Sequence, residues 1–166
     1  PTMSFHFSFC MGQELKAVGI NLDFAPCIDI FNNPHNTVIG DRAISSDVNM
    51  VVKHSSALVR GLLKSDVIAC VKHFPGHGLT LVDSHEDLPV ENVDLARLEE
   101  VELQPFKKAF RSRVDMAMVA HILFPKVDPD YPVSLSETFI KKILKGDCRY
   151  RGLVISDDLG MGAITK

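Results

Sequence analysis

The stretch Val67-Ile68-Ala69-Cys70-Val71, running directly into Lys72-His73-Phe74-Pro75-Gly76-His77-Gly78 and then, after a short gap, Asp83-Ser84-His85, decides how the rest of the chain is read. Its first half is an unbroken apolar run of strand length, as expected of a strand buried on both faces of a parallel sheet. Its second half gathers histidines, a lysine and an aspartate around Pro75, Gly76 and Gly78. Polar groups therefore collect where the strand ends, the position at which parallel α/β folds place their chemistry.

Working outward, the same alternation recurs. On the N-terminal side, Phe5, Phe9, Gly12, Leu15 and Val18 fall at helical spacing before Gly19, which serves as a stop. Ile20 to Ile28 follows as a strand ending at Asp29, and a long polar loop runs from Phe31 to Ser46. A loop of that length inside a compact domain marks a functional segment. Ser46 or Asp47 caps a helix reaching about Lys64, with Val51, Val52, Leu58, Val59 and Leu62 on its apolar face.

On the C-terminal side, Asp94 caps a helix through Leu95, Leu98 and Val101 to Phe110, which Pro105 kinks or restarts. Met116 to Val119 is a buried strand, and His121 beyond it suits a structural role as well as a functional one. Ser134-Leu135-Ser136-Glu137 has the spacing of a capping box, with Ser134 as the cap of a helix that carries Leu135, Phe139, Ile140, Ile143 and Leu144 on one face until Gly146. The last strand is Leu153-Val154-Ile155, and Ser156-Asp157-Asp158 closes it.

Helices alternate with strands throughout, which implies right-handed crossovers and a parallel sheet. Periodicity alone does not separate a doubly wound sheet from a barrel. Four such units make half of a (β/α)8 barrel, which takes about 250 residues. No Gly-x-Gly-x-x-Gly run follows a strand, which argues against a dinucleotide site.

Composition narrows the function. The chain has 166 residues, 46% of them hydrophobic, and its 18 basic against 21 acidic residues leave a net charge of -3. That supports one domain with a substantial core and no basic stripe for nucleic acid. No apolar run approaches the roughly 20 residues of a membrane span. The four cysteines, Cys10, Cys27, Cys70 and Cys148, form no C-x-x-C pair and read as buried thiols in a reducing compartment, so a cytoplasmic location is expected.

Three chemistries compete for the polar cluster. Pro75-Gly76 and Gly78 can make a turn decorated with solvated residues. His73 and His77, with Asp83, His85 or Asp157, can be ligands of a metal-dependent hydrolase, although Pro75, Gly76 and Gly78 argue against the helix that an i, i+4 histidine pair needs. The third is displacement at an acetal carbon without a metal. Asp157 is then the nucleophile, and Asp83 with His85 is an acid/base pair whose carboxylate orients the ring and favours its protonated form. The pair Asp157-Asp158 also fits a plain helix cap.

At these residues the sequence strongly resembles family 3 glycoside hydrolases, in particular their bacterial β-N-acetylglucosaminidase branch. Lys72 to Gly78 with Asp83-Ser84-His85 resembles that branch's substrate segment and mobile catalytic loop. Ile143-Leu144-Lys145, followed by Gly152 to Asp157, resembles the signature around the nucleophile. Phe24-Ala25-Pro26 with Asp29, and Ile39-Gly40-Asp41-Arg42, extend the likeness over essentially the whole chain.

The resemblance implies a TIM barrel, of which this chain is the central part with strands 3 to 6, and further sugar-binding residues in barrel segments outside it. It implies Asp157 as nucleophile, His85 as acid/base, Asp83 as its partner, and Arg42, Lys72 and His73 as contacts for a terminal N-acetylglucosamine. No cofactor or metal is implied. The implied substrates are muropeptides or chitooligosaccharides, and a non-catalytic carbohydrate-binding fragment is the remaining alternative.

Overall fold

A computed structural model describes residues Pro1–Lys166. In chain order it contains α1 (Thr2–Ala17), β1 (Leu22–Asp23), α2 (Val48–Lys64), β2 (Ile68–Phe74), α3 (Leu95–Glu100) and α4 (Leu103–Arg111). Then come β3 (Met116–Val119), a π-helix (Thr138–Asp147), β4 (Leu153–Ser156) and α5 (Gly162–Thr165). The four strands form one parallel sheet in the order β1-β2-β3-β4.

That order settles what periodicity left open. A doubly wound sheet reverses its direction of growth at a switch point, whereas here each strand lies beside its predecessor, as around a barrel wall. The fold is a partial TIM barrel of four βα units. The two sides of the sheet differ accordingly. Ala69, Val71, Ala117 and Val119 face the helices and join a core cluster of 24 buried residues that includes Val51, Leu62, Leu98 and Phe106. Cys70, Met116 and Met118, with Leu22 and Ile155 packed against them, line the opposite side, which is the barrel interior.

Local departures from the sequence reading have identifiable causes. β1 is regular only over Leu22–Asp23, not from Ile20 to Ile28. Beyond it the chain keeps pairing with β2 irregularly, through Cys70 N–H to Ala25 O, Lys72 N–H to Pro26 O and Ile28 N–H to Lys72 O. Pro26 has no N–H to give such a ladder. β2 runs past Val71 to Phe74, because Phe74 is itself a core side chain in edge-to-face contact with Phe106, the ring centroids 5.4 Å apart. Lys72 and His73 therefore sit on the strand, not in the loop after it.

Asp47, not Ser46, caps α2, its Oδ1 accepting from Met50 N–H at 2.8 Å, and Asp94 caps α3 in the same way through Arg97 N–H at 2.9 Å. The helix expected through Phe110 is broken between Glu100 and Leu103, and Pro105 lies in the first turn of α4, where its missing N–H costs no helical bond. The segment after Ser134 is not an α-helix. Its bonds reach one residue further, as in Cys148 N–H to Ile143 O. Ser136, not Ser134, caps it, accepting from Phe139 N–H at 3.0 Å, while Ser134 is engaged by His121. The first helix meets α2 through Ser8 and Gly12, which are buried, whereas Val18 lies beyond the helix and exposed. Of the four cysteines that read as buried thiols, only Cys70 proves buried, and Cys10 is exposed.

Candidate active site

The C-terminal ends of β2 and β4 open into one cavity of about 470 Å³, lined among others by Arg42, Lys72, His73, His85 and Asp157. Its size suits a small ligand. Lys72 and His73 are consecutive yet both line it, although strand side chains normally alternate. The β2–β3 register slips between Val71 and Phe74, which lets both face inward.

His73 is fixed from behind. Its Nδ1 donates to Asp29 Oδ2 at 2.8 Å, and its Nε2 lies 3.9 Å from Asp157 Oδ2. Asp29 itself is buried and takes up the His73 N–H at 3.2 Å, the His77 N–H at 2.6 Å and the Cys27 thiol at 3.1 Å. Burial alone would raise this carboxyl, but the two histidines hold it well below the ordinary carboxylate range. Asp29 is thus the hub of the site, a role that the sequence reading missed. Its sequence signals were a carboxylate at a strand's end, as at Asp157, and a place beside Phe24-Ala25-Pro26 in the family resemblance, and neither gave it a role.

Asp157 continues the β3–β4 ladder by donating its N–H to Val119 O at 3.0 Å, which places its carboxylate at the strand mouth. Its neighbour has a different task. Asp158 Oδ1 accepts from Gly160 N–H at 2.8 Å and shapes the turn, while Asp158 O accepts from His121 Nε2 at 3.1 Å. His121 is fully buried, and its Nδ1 lies 2.7 Å from Ser134 Oγ. Of the two readings open for this histidine, the structural one holds: it supports the backbone just after Asp157.

Asp83 and His85 form a closed Asp-x-His turn. Asp83 Oδ1 accepts from His85 N–H at 2.9 Å and from His85 Nδ1 at 2.7 Å. Slight burial acts in the opposite direction, but the His85 amide and ring hold the Asp83 carboxyl below its ordinary range. His85 Nδ1 is thereby occupied and Nε2 is left for a substrate. Arg42 lies on the 3₁₀ turn Gly40–Arg42, with one guanidinium N–H on Val38 O at 2.6 Å.

His77 differs from the other histidines. Its Nδ1 lies 2.8 Å from Thr80 Oγ1 and its Nε2 3.0 Å from Ser84 Oγ, so both ring nitrogens are engaged. Burial pushes it toward the neutral form, against the pull of Asp29. A metal held by His77 would have to displace either Thr80 or Ser84 from its ring, whereas His73 could offer Nε2 and keep its bond to Asp29. Cys27, Asp29 and His73 also bring three donor atoms within 4.8 Å of one another. Burial, reinforced by Asp29, pushes the Cys27 thiol well up, so it stays protonated and donates to Asp29 instead of acting as a thiolate ligand. Cys27, Asp29 and His73 thus fit a hydrogen-bonded cluster better than a metal centre.

The long loop after Asp29 grips the histidine segment. Asn36 Nδ2 donates to His77 O at 2.7 Å, and Asn33 N–H donates to Gly78 O at 3.2 Å. At Gly78 the two main chains cross so closely that a Cβ would lie 1.7 Å from Ile30 O. Only glycine fits there.

The chain is 39% identical over 162 residues to a β-hexosaminidase of Xylella fastidiosa (strain M23), covering 98% of this chain and 48% of that protein. It thus spans about half the length of the curated relatives it matches. The structure of a glycoside hydrolase family 3 β-N-acetylglucosaminidase from Paenibacillus sp. str. FPU-7 superposes with a TM-score of 0.95 at 44% identity, over 98% of this chain and 31% of that one. Native NagZ from Neisseria gonorrhoeae gives a TM-score of 0.88 at 37% identity, over 95% of this chain and 46% of that one. Residues 6–166 match the glycosyl hydrolase family 3 N terminal domain, and the chain belongs to that family.

Proposed function

We propose that the protein to which this chain belongs is a retaining β-N-acetylglucosaminidase that releases terminal β-linked N-acetylglucosamine from muropeptides or chitooligosaccharides. The observation that carries the reading is the convergence of Asp157, His73 and His85, the last held by Asp83, on one cavity. The names of the relatives, β-hexosaminidases and β-N-acetylglucosaminidases, support the choice of sugar.

Each residue then has a defined task. A carboxylate oxygen of Asp157 bonds to the anomeric carbon as the bond to the leaving oxygen breaks, and His85 gives its Nε2 proton to that oxygen. Asp83 holds the ring through Nδ1 and balances the charge of its protonated form. In the second half a water adds to the anomeric carbon, His85 takes a proton from it, and Asp157 departs as a free carboxylate. One water is consumed and both residues return to their starting states. Arg42, Lys72 and His73 hold the sugar hydroxyls, and no metal takes part.

The test is covalent trapping in the full-length protein. A 5-fluoro N-acetylglucosaminyl fluoride, which forms the intermediate faster than water clears it, should leave one sugar on Asp157 when the peptides are sequenced by mass spectrometry. Modification of Asp158, or turnover with inversion at the anomeric carbon, refutes the assignment.

A further inference from the structure

The hydrogen bonds inside the Asp83–His85 turn shape it but do not locate it relative to Asp157. Both side chains are open to solvent on one side, His85 by 64% and Asp83 by 36%. The residue between them behaves in the opposite way. Ser84 is buried to 1% exposure and its Oγ meets His77 Nε2. His77 is in turn immobilised at every polar atom: its N–H by Asp29, its carbonyl by Asn36 and Thr80, and its Nδ1 by Thr80.

The other side of the turn is held by the segment that follows Asp157. Gly162 N–H donates to His85 O at 2.9 Å, and Ala163 N–H donates to Ser84 O at 3.1 Å. A Cβ on Gly162 would lie 2.3 Å from Glu86 O and 2.7 Å from His85 O, so the two main chains meet more closely than any side chain allows.

We infer that His77, acting through Ser84, and Gly162, acting through its main chain, are positioning residues that seat the Asp83–His85 turn against the nucleophile's own segment. The inference rests on the reading of His85 as acid/base and deepens it. The seat links the two reacting groups without passing through the sheet. The peptide that carries Asp157 also carries the N–H groups that hold Ser84 and His85, so a shift of one is transmitted to the other. Asp29 joins both sides of the site: it fixes His73, next to Asp157, and the main chain of His77, behind Ser84. Misplacing a catalytic group by about an ångström is enough to lose on the order of a hundredfold in rate. A seat built from buried side-chain and main-chain bonds is therefore a catalytic requirement.

The test uses full-length Ser84→Ala and Gly162→Ala, with His85→Ala as reference. Each is assayed on N,N′-diacetylchitobiose, whose departing oxygen needs a proton, and on 2,4-dinitrophenyl β-N-acetylglucosaminide, whose departing group does not. The readout is the ratio of kcat/KM on the disaccharide to that on the aryl glycoside, relative to the unmodified enzyme. General acid catalysis contributes roughly 10²–10⁴-fold, so a displaced acid in Ser84→Ala should lower the ratio by about tenfold, and Gly162→Ala should lower it further. The fluorosugar labels Asp157 without needing an acid, so normal labelling of Ser84→Ala shows an intact fold and nucleophile, and this variant carries the test if Gly162→Ala does not fold. Equal losses on both substrates, or no change in the ratio while His85→Ala lowers it, overturn the seat and leave the acid/base reading intact. A flat ratio in His85→Ala itself removes that reading, and the seat with it.

Discussion

Replacing Asp29 is the sharpest test of how the site is held together. Asp29→Ala removes the acceptor of three N–H groups, the His73 amide, the His73 ring and the His77 amide, and of the Cys27 thiol. A buried donor left without a partner costs about 1–3 kcal/mol, and water admitted to the vacated space recovers part of that. Removing one partner of a buried charged cluster costs about 3–5 kcal/mol, and the same range is expected here at pH 7. Asp29→Asn keeps one acceptor oxygen but turns an N–H₂ toward donors, so it should fall at the lower end. The pH dependence adds a second constraint. The Asp29 carboxyl is depressed from its ordinary 3.8, so its stabilisation is fully present above that value and is lost as pH falls toward the depressed one. Urea unfolding of the full-length protein, followed by circular dichroism at several pH values, should show a gap between wild type and Asp29→Asn that is flat from about pH 8 to 5 and narrows below about pH 4. A gap under about 1 kcal/mol at pH 7, or one that widens on acidification, would refute the assignment of Asp29 as an ionised hub.

His85→Ala should lose roughly 10²-fold or more on a disaccharide and far less on an activated aryl glycoside, and equal losses would indicate a binding or structural role. Prolonged dialysis of the full-length protein against a chelator should leave turnover unaltered; activity that disappears and returns with a divalent metal would favour the metal-dependent reading. Residues 1–166 expressed alone should self-associate and lack turnover, because β1 and β4 present open strand edges and the Cys70–Met116–Met118 side has no opposing wall. A monomeric, cooperatively melting, active product on size exclusion and thermal scanning would show that the functional unit is smaller than a barrel.

What the sequence made legible was what depends on local patterning. The apolar runs at Val67–Val71 and Met116–Val119, and the caps at Asp47 and Asp94, are set by residues close in the chain. The sheet's order was not legible from periodicity, since helix–strand alternation is common to barrels and doubly wound folds, and the barrel followed only from the family resemblance. The same limit explains the segment after Ser134. Phe139, Ile143 and Leu144 bury one face of either an α- or a π-helix, and only the identity of Ser136 as cap and Ser134 as partner of His121 fixes the register. In the site, Asp83–His85 was readable because the two residues bond across a single turn. Asp29 with His73 and His77 was not, because the carboxylate follows β1 while the imidazoles lie at and beyond the end of β2, and their meeting depends on how these two segments pair. Ser84 is silent for a related reason: a serine between two candidate catalytic residues carries no signal until its burial is seen.

The crossing of Gly78 over Ile30 bears on how this region opens. Two loops in such close main-chain contact, tied by Asn33 to Gly78 and by Asn36 to His77, cannot separate one hydrogen bond at a time without opening a void against Ile30. They should behave as a single cooperative unit in native-state amide exchange. The main-chain amides of Asn33, Ile39 and His77 would then share one opening free energy and one denaturant dependence, although they are far apart in the chain. The exposed amides of Leu88 and Asp130, whose acceptors are neighbouring aspartates, would exchange faster and independently of it.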